Sequence, residues 1–143
     1  PKEFGVELGG LRNVTYISVC TSSSHDMSTM RQWWEENPDR TQRFFNNVLR
    51  EYGPAPIFCE PWICQRIIEM HLATKAMWVI LPLQDWIAMD GKLRNDDTFS
   101  ERINNPANPD NYWHYRMHLN LEDLIGASTL NQRIKALIKY YGR

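Results

Sequence analysis

Three clusters of residues in this sequence could do chemistry. The first is Thr21-Ser22-Ser23-Ser24-His25-Asp26, which sets an imidazole beside a carboxylate and offers charge and directed hydrogen bonds from one place. Ser24, His25 and Asp26 cannot form a hydrolytic triad among themselves, because adjacent side chains diverge and a triad converges from distant positions. Asp26 also reads as the cap of a helix that begins near Ser28. The second cluster is Gln84-Asp85, which also reads as loop-start hydrogen bonding. The third is Arg102-Ile103-Asn104-Asn105-Pro106, followed by Trp113, Tyr115 and Arg116. Rings, amides and guanidinium groups suit a sugar, whose faces stack and whose hydroxyls need both donors and acceptors. The alternative is a wrapping loop whose aromatics plug a groove.

Metal chemistry has weaker support. His114 and His118 have the i, i+4 spacing that can hold a metal on a helix, but no third ligand is arranged with them. Asn111-Tyr112-Trp113 does not read as helix. Cys59 and Cys64 lie five apart with no matching second pair, so no zinc site is expected. With Cys20 they make three cysteines without framework spacing, which reads as reduced, mostly buried thiols of a cytoplasmic protein.

These clusters need elements to carry them. Residues 14–22 are dense in β-branched and aromatic types on both alternating faces, as in a strand covered on both sides. Residues 76–83 form a second apolar run, closed by Gln84-Asp85; Pro82 argues against a long ladder there. Between them the pattern is helical. Ser28 to Glu36 forms a short helix stopped by Asn37-Pro38. Asp39 and Gln42 resemble a capping box, and Phe44, Phe45, Val48, Leu49 and Tyr52 repeat at helical spacing. Pro61 opens a further helix carrying Ile63, Ile67 and Met70. Strand, helices, strand is the order of a βαβ crossover. Residues 90–116 form a long polar loop, of the length that is usually functional or disordered. Asn120 caps a short helix, and Ser128 caps a last one with Leu130, Ile134, Leu137, Ile138 and Tyr141 as its buried stripe. Residues 1–13 read as loop.

Composition limits the partners. The chain has 143 residues, enough to bury a core, with 43% hydrophobic and 23% charged residues. Sixteen basic residues against seventeen acidic ones argue against nucleic acid, which selects a surplus of Lys and Arg. The longest apolar run, Ala76 to Leu83, has eight residues, whereas a membrane helix needs about 20, so no membrane partner is expected. There is no repeat and no sign of a second domain. The opening Pro1-Lys2-Glu3 lacks an initiator methionine, which reads as a piece of something longer.

Two ordered sets of motifs carry a family resemblance. Ser18-Val19-Cys20-Thr21, Ser24-His25-Asp26-Met27-Ser28-Thr29-Met30-Arg31 and Trp33-Trp34 resemble the late barrel-strand signature of the 4-α-glucanotransferases, the amylomaltases and disproportionating enzymes. Leu83-Gln84-Asp85-Trp86, Glu101-Arg102-Ile103-Asn104-Asn105-Pro106 and Asn111-Tyr112-Trp113-His114-Tyr115-Arg116 resemble the C-terminal signature of the same family. The resemblance implies an α/β fold: a partial (β/α)8 TIM barrel holding the last two strands with their helices, mostly helical by residue count. A complete barrel needs at least about 200 residues. The chain is then a single C-terminal portion of the catalytic barrel.

The implied activity is transfer of α-1,4-glucan segments between maltodextrins by retaining double displacement, with no cofactor and no metal. Asp26 matches the family's transition-state-stabilising aspartate, and His25 the histidine that holds the same sugar. Gln84 and Asp85 match the end of the last barrel strand, and Asn104 and Pro106 a segment lining the donor site. Trp113 and Arg116 complete the expected substrate ligands. Nucleophile and acid/base belong to earlier strands, so the fragment alone is expected to be inactive. A barrel cut open leaves Tyr16, Trp78 and Ile80 uncovered, so it is also expected to self-associate. Two other readings are a non-catalytic glucan-binding or interaction module and, with less support, a metal-dependent hydrolase built on His25, Asp26, His114 and His118.

Overall fold

The computed structural model describes residues 7–143. A 3-10 helix, Glu7–Asn13, leads to β1, Val19–Cys20. Three helices follow: α1 Met30–Glu36, α2 Pro38–Asn47 and α3 Pro61–Leu72. Then come β2, Trp78–Val79, and the short α4, Leu83–Ile87. A long stretch without helix or strand reaches α5, Leu121–Gly126, and α6, Ser128–Tyr140. Residues 7–13 thus depart from the loop expected over 1–13, and residues 1–6 lie outside the described residues.

β1 and β2 pair in parallel, Val19 with Trp78 and Cys20 with Val79, so α1 to α3 form the crossover of a βαβ unit. Both strands are far shorter than the apolar runs that contain them. Backbone bonds do extend outward, from the Met77 amide to the Tyr16 carbonyl (2.8 Å) and from the Ile80 amide to the Cys20 carbonyl (2.9 Å). The ladder stops because each strand has one neighbour, and because the chain bends at Thr15 to Ser18, where Ser18 bonds back to Thr15 and Tyr16. The pair is largely bare: Tyr16, Ile17, Val19, Trp78 and Ile80 are all exposed. The expectation of a strand covered on both faces therefore fails over these residues, while the exposure expected of Tyr16, Trp78 and Ile80 is present.

The helices begin where their caps allow. Thr29 accepts from the Gln32 amide and caps α1. Asn37 ends α1 and, through Oδ1, accepts from the Arg40 amide (3.0 Å) to cap α2, with Pro38 at the first helical position. Asp39 and Gln42 are therefore not the capping pair. The Gln42 amide instead clips the next loop, donating to the Gly53 carbonyl (2.9 Å) and accepting from the Ala55 amide (2.8 Å). α2 stops at Asn47 because Arg50 takes the left-handed conformation, φ 62°, and turns the chain away. Tyr52, expected on the buried stripe, is consequently 95% exposed. Asn120 caps α5 in a reciprocal pair with Asp123. Ser128 is the first residue of α6 and not its cap.

The core lies between α1, α2, α3 and α4, filled by Met30, Trp34, Phe45, Ile63, Ile68 and Met89. Phe44 and Phe45 meet Trp34 edge-on at ring-centroid distances of 6.3 Å, a favoured aromatic geometry. α6 inserts Leu130 fully and only half-buries Ile134, Leu137, Ile138 and Tyr141. Cys59 and Cys64 flank the start of α3 with their sulfurs 3.5 Å apart, both wholly buried. Burial pushes the Cys59 thiol well above its ordinary range. Among the described residues no helix is long and apolar enough to cross a membrane.

Because Ile68 has no exposed surface, its truncation leaves a cavity that rigid neighbours fill poorly. Ile68→Ala should lower the unfolding free energy by about 2–5 kcal/mol. Ile125→Ala, at an exposed position of α5, should change it by about 0.5 kcal/mol or less. Denaturant titration of both variants checks the contrast; equal effects would mean that the core is not where the structure has it.

Candidate active site

The loop after β1 is held from below. Asp85, on α4, is 1% exposed, and its two oxygens accept from the Ser22 hydroxyl (2.5 Å) and the Met30 amide (3.1 Å). One carboxylate thus ties the loop's start to the first residue of α1. Beside it, Arg31 donates to Glu101 (3.0 Å) and to the Asn95 carbonyl (2.6 Å). Glu101, 2% exposed, also accepts from the Thr29 hydroxyl, and its carbonyl accepts from Gln84 (3.3 Å). The β1–α1 loop, α1, α4 and residues 95–104 therefore converge on two buried acids and one buried arginine.

Burial raises both acids above the ordinary carboxylate range. For Asp85 the hydrogen bonds from Ser22 and Met30 offset part of the rise, and for Glu101 the Arg31 guanidinium does so. Tyr115 lies near Glu101 and Gln84; burial and the Glu101 charge raise its phenol.

Above this base, one residue joins two loops. Asn104 donates its backbone N–H to the His25 carbonyl (3.0 Å) and its side-chain amide to Asp26 Oδ1 (2.7 Å). Its own Oδ1 accepts from the Asn111 amide (2.7 Å), and its carbonyl accepts from Arg102 (2.8 Å). Asp26 Oδ2 lies 3.4 Å from His25 Nε2, and both side chains are about half exposed, 49% and 54%. The Trp113 ring stands 5.1 Å from the imidazole, tilted by 54°, and is itself 63% exposed. An open groove of about 310 Å³ adjoins, lined by Gln32, Phe99, Arg102, Asn104, Asn105, Asn108 and Asn111. The Gln32 Oε1 is buried without a hydrogen-bond partner among the described residues.

The expected site residues divide accordingly. Asp26, His25, Asn104 and Trp113 come together on one face. Gln84 and Asp85 lie underneath it, their polar groups engaged within the chain. Pro106 and Arg116 are exposed on the loop and take no part in these hydrogen bonds. Asp26 is not the cap of α1; Thr29 is. His118 bonds to the Leu93 carbonyl (2.7 Å), and no group of three His, Cys, Asp or Glu gathers for a metal among the described residues.

A protein-family model described as 4-alpha-glucanotransferase matches residues 3–121. The chain belongs to the 4-alpha-glucanotransferase family. Across its whole length it is 36% identical to the 4-alpha-glucanotransferase DPE2 of Oryza sativa subsp. japonica, of which it covers 15%. Over 122 residues, 85% of the chain, it is 30% identical to the 4-alpha-glucanotransferase of Chlamydia muridarum, covering 23% of that protein. Its fold matches part of the amylomaltase from Streptococcus agalactiae, solved in complex with acarbose. The TM-score is 0.69 at 19% identity, over 97% of this chain and 24% of that one. The chain spans less than a quarter of each of these relatives.

Three participants escaped the sequence reading of the site. Arg31 and Glu101 are 70 positions apart, and nothing local announces their pairing. Asn111 is one amide among many in a Pro- and Asn-rich loop. Its signal in the sequence is its place at the head of the Asn111-Tyr112-Trp113-His114-Tyr115-Arg116 motif.

The buried Asp85 gives a pH-dependent prediction. Its folded carboxyl holds a proton more tightly than the unfolded one, so its contribution to stability is largest at low pH. That contribution falls as pH rises from the unfolded value through the raised folded value. Asp85→Asn keeps an acceptor for Met30 and a donor toward Ser22 without the charge. Its melting temperature should match wild type in acid and equal or exceed it at neutral pH. Asp85→Leu strands both partners and should cost about 1–3 kcal/mol for each group left unpaired. Thermal unfolding of the three proteins across pH checks this; because the raised Glu101 remains in every variant, the readout is the difference from wild type, and an Asn variant that loses stability relative to wild type as pH rises would contradict it.

Proposed function

We propose that the protein containing this chain transfers α-1,4-glucan segments between maltodextrins by retaining double displacement. In this reading the 143 residues supply the last two strands of a (β/α)8 barrel. The nucleophile and the acid/base come from earlier strands. The observation that carries the reading is the position of Asp26. It is the one carboxylate of the site that reaches the surface while its Oδ1 is held by a neutral amide. Membership of the 4-alpha-glucanotransferase family supports it, as does the solution of a fold relative with acarbose.

The chemistry follows from charge. In a retaining transfer the sugar passes through an oxocarbenium-like state twice, forming and then breaking a glycosyl-enzyme bond; the second attack comes from a glucan hydroxyl. A fixed negative group near the ring is worth more when the ring is cationic than when it is neutral, so Asp26 lowers the barrier more than it tightens binding. His25 holds a sugar hydroxyl, and Trp113 offers its exposed face to a pyranose ring. Asn104 and Pro106 border the donor side, and Arg116 offers a further substrate contact from the exposed loop. Asp85 acts from beneath, fixing the loop that carries Asp26, and Gln84 holds the Glu101 carbonyl of the facing loop. The substrate partners are α-1,4-glucans, and the chemistry calls on no cofactor.

In the full-length protein acting on maltotriose, Asp26→Asn should lower kcat by about 10²–10³ with little change in KM. An amide at this position keeps an oxygen for the Asn104 bond, so the melting temperature should stay near wild type. Trp113→Ala should mainly raise KM, because a stacking face acts on bound sugar before and during reaction alike. Near-normal kcat for Asp26→Asn would overturn the reading. The 143 residues alone should release no glucose from maltotriose. They should also sediment as a dimer or larger species through the bare face of the strand pair; a monomer stable to dilution would count against the open-barrel placement.

A further inference from the structure

We propose that Asn111 is a positioning residue for Asp26, acting through Asn104. The proposal rests on the role given to Asp26 above. A carboxamide has two nearly isosteric ends, one donor and one acceptor, and a half-turn exchanges them. Only one setting of Asn104 suits Asp26: the NH2 group must face the carboxylate. Asn104 is buried, so solvent does little to choose. Two partners hold that setting: the Asp26 carboxylate, which can only accept, takes the Asn104 NH2 group on Oδ1 at 2.7 Å, and Asn111 locks the other end by donating its NH2 group to Asn104 Oδ1, also at 2.7 Å.

The consequence at Asp26 is a division of labour between its oxygens. Oδ1 is fixed by Asn104, while Oδ2 is turned toward His25 Nε2 and the open face. With both ends of its amide engaged and its backbone N–H on the His25 carbonyl, Asn104 acts on a sugar indirectly, by setting Asp26 and His25. The relay also spans the two loops that form the site. It joins residues 25–26 to residues 104–111 without passing through the core.

The test exploits the half-turn. Asn111→Asp replaces the donor with an acceptor of the same shape. The single Asn104 NH2 group then serves two competing carboxylates, and whenever it turns to the one introduced at position 111 its oxygen is left against Asp26. In the full-length protein this variant should lose about 10-fold or more in kcat, as a catalytic group is displaced from its productive setting. Its melting temperature should also fall. In an Asp26→Asn background the same change should be tolerated, because the amide introduced at position 26 can donate its NH2 group to the turned Asn104 oxygen. The double variant should then melt about a degree or more above the sum of the single shifts, and show no further loss of kcat.

Direct repulsion between Asp26 and the new carboxylate at position 111 would mimic this coupling. The cycle is therefore repeated in about 0.5 M salt, which screens exposed charges a few ångströms beyond contact but leaves a hydrogen-bond pattern in place. It is repeated again with Asn104→Ala, which removes the relay. Coupling that survives salt and disappears with Asn104→Ala is the expected result. Additive melting shifts, or coupling abolished by salt, would overturn the relay. Coupling with an unchanged kcat for Asn111→Asp would leave the relay as architecture and overturn the catalytic role of Asp26 instead.

Discussion

The bond between Arg31 and Glu101 is the constraint from which the site is built. Two charges with side chains 6% and 2% exposed have lost most of their water, and each is tolerable only beside the other. Burial outweighs the pairing at Glu101, whose carboxyl remains above the ordinary range even with the guanidinium alongside. Such a pair adds little net stability over a well-packed apolar substitute, but breaking it strands a charge. What it does supply is registration. Arg31 belongs to the first turn of α1, and Glu101 to a loop with no ladder of its own. Their contact fixes one to the other more narrowly than apolar packing can, because hydrogen-bond geometry is directional.

Charge is distributed through the site in two layers. The lower layer holds Asp85 and Glu101, engaged with Ser22, Met30, Thr29 and Arg31 and closed to solvent. The upper layer holds Asp26 and His25, half open. The family motifs contain residues of both layers, and sequence proximity does not separate them. Gln84 and Asp85 sit in a matched segment as surely as Asn104 does, yet they brace the site's loops from beneath, Asp85 at Ser22 and Gln84 at the Glu101 carbonyl. A residue that holds a loop and a residue that touches a ligand leave the same trace in a sequence.

Much of the architecture could be read from local chemistry. Pro61 opened α3, Asn120 capped α5, and the 3.6-residue repeat placed Ile63 and Ile67 inward, with Met70 only partly buried. Misreadings arose where a neighbour decided the outcome. Asn37 displaced Asp39 as the cap because Pro38 fixes the backbone at the first helical position. Tyr52 left the helical stripe because Arg50 adopts a positive φ that no pattern of apolar residues encodes. The β-rich segments shrank to two residues each because a strand's length depends on how many partners it has. Asp26 and His25 were found through motif and adjacency, whereas Asn111 and the Arg31–Glu101 pair depend on contacts that exist only after the chain has folded.

The stretch between α4 and α5 contains neither helix nor strand, yet it is pinned at many points. Arg94 donates to the Cys59 carbonyl, Asn95 accepts from Arg31, Asn104 bonds across to His25, and His118 reaches Leu93. Each pin removes conformational freedom, about 1–2 kcal/mol for every backbone residue held in one well. That loss is incurred during folding and is drawn from the same burial that builds the core. A molecule arriving at this face would meet amides and rings already in place. Little of its contact energy would be diverted to ordering the loop, so even a weakly hydrophobic ligand could be held by a modest number of hydrogen bonds.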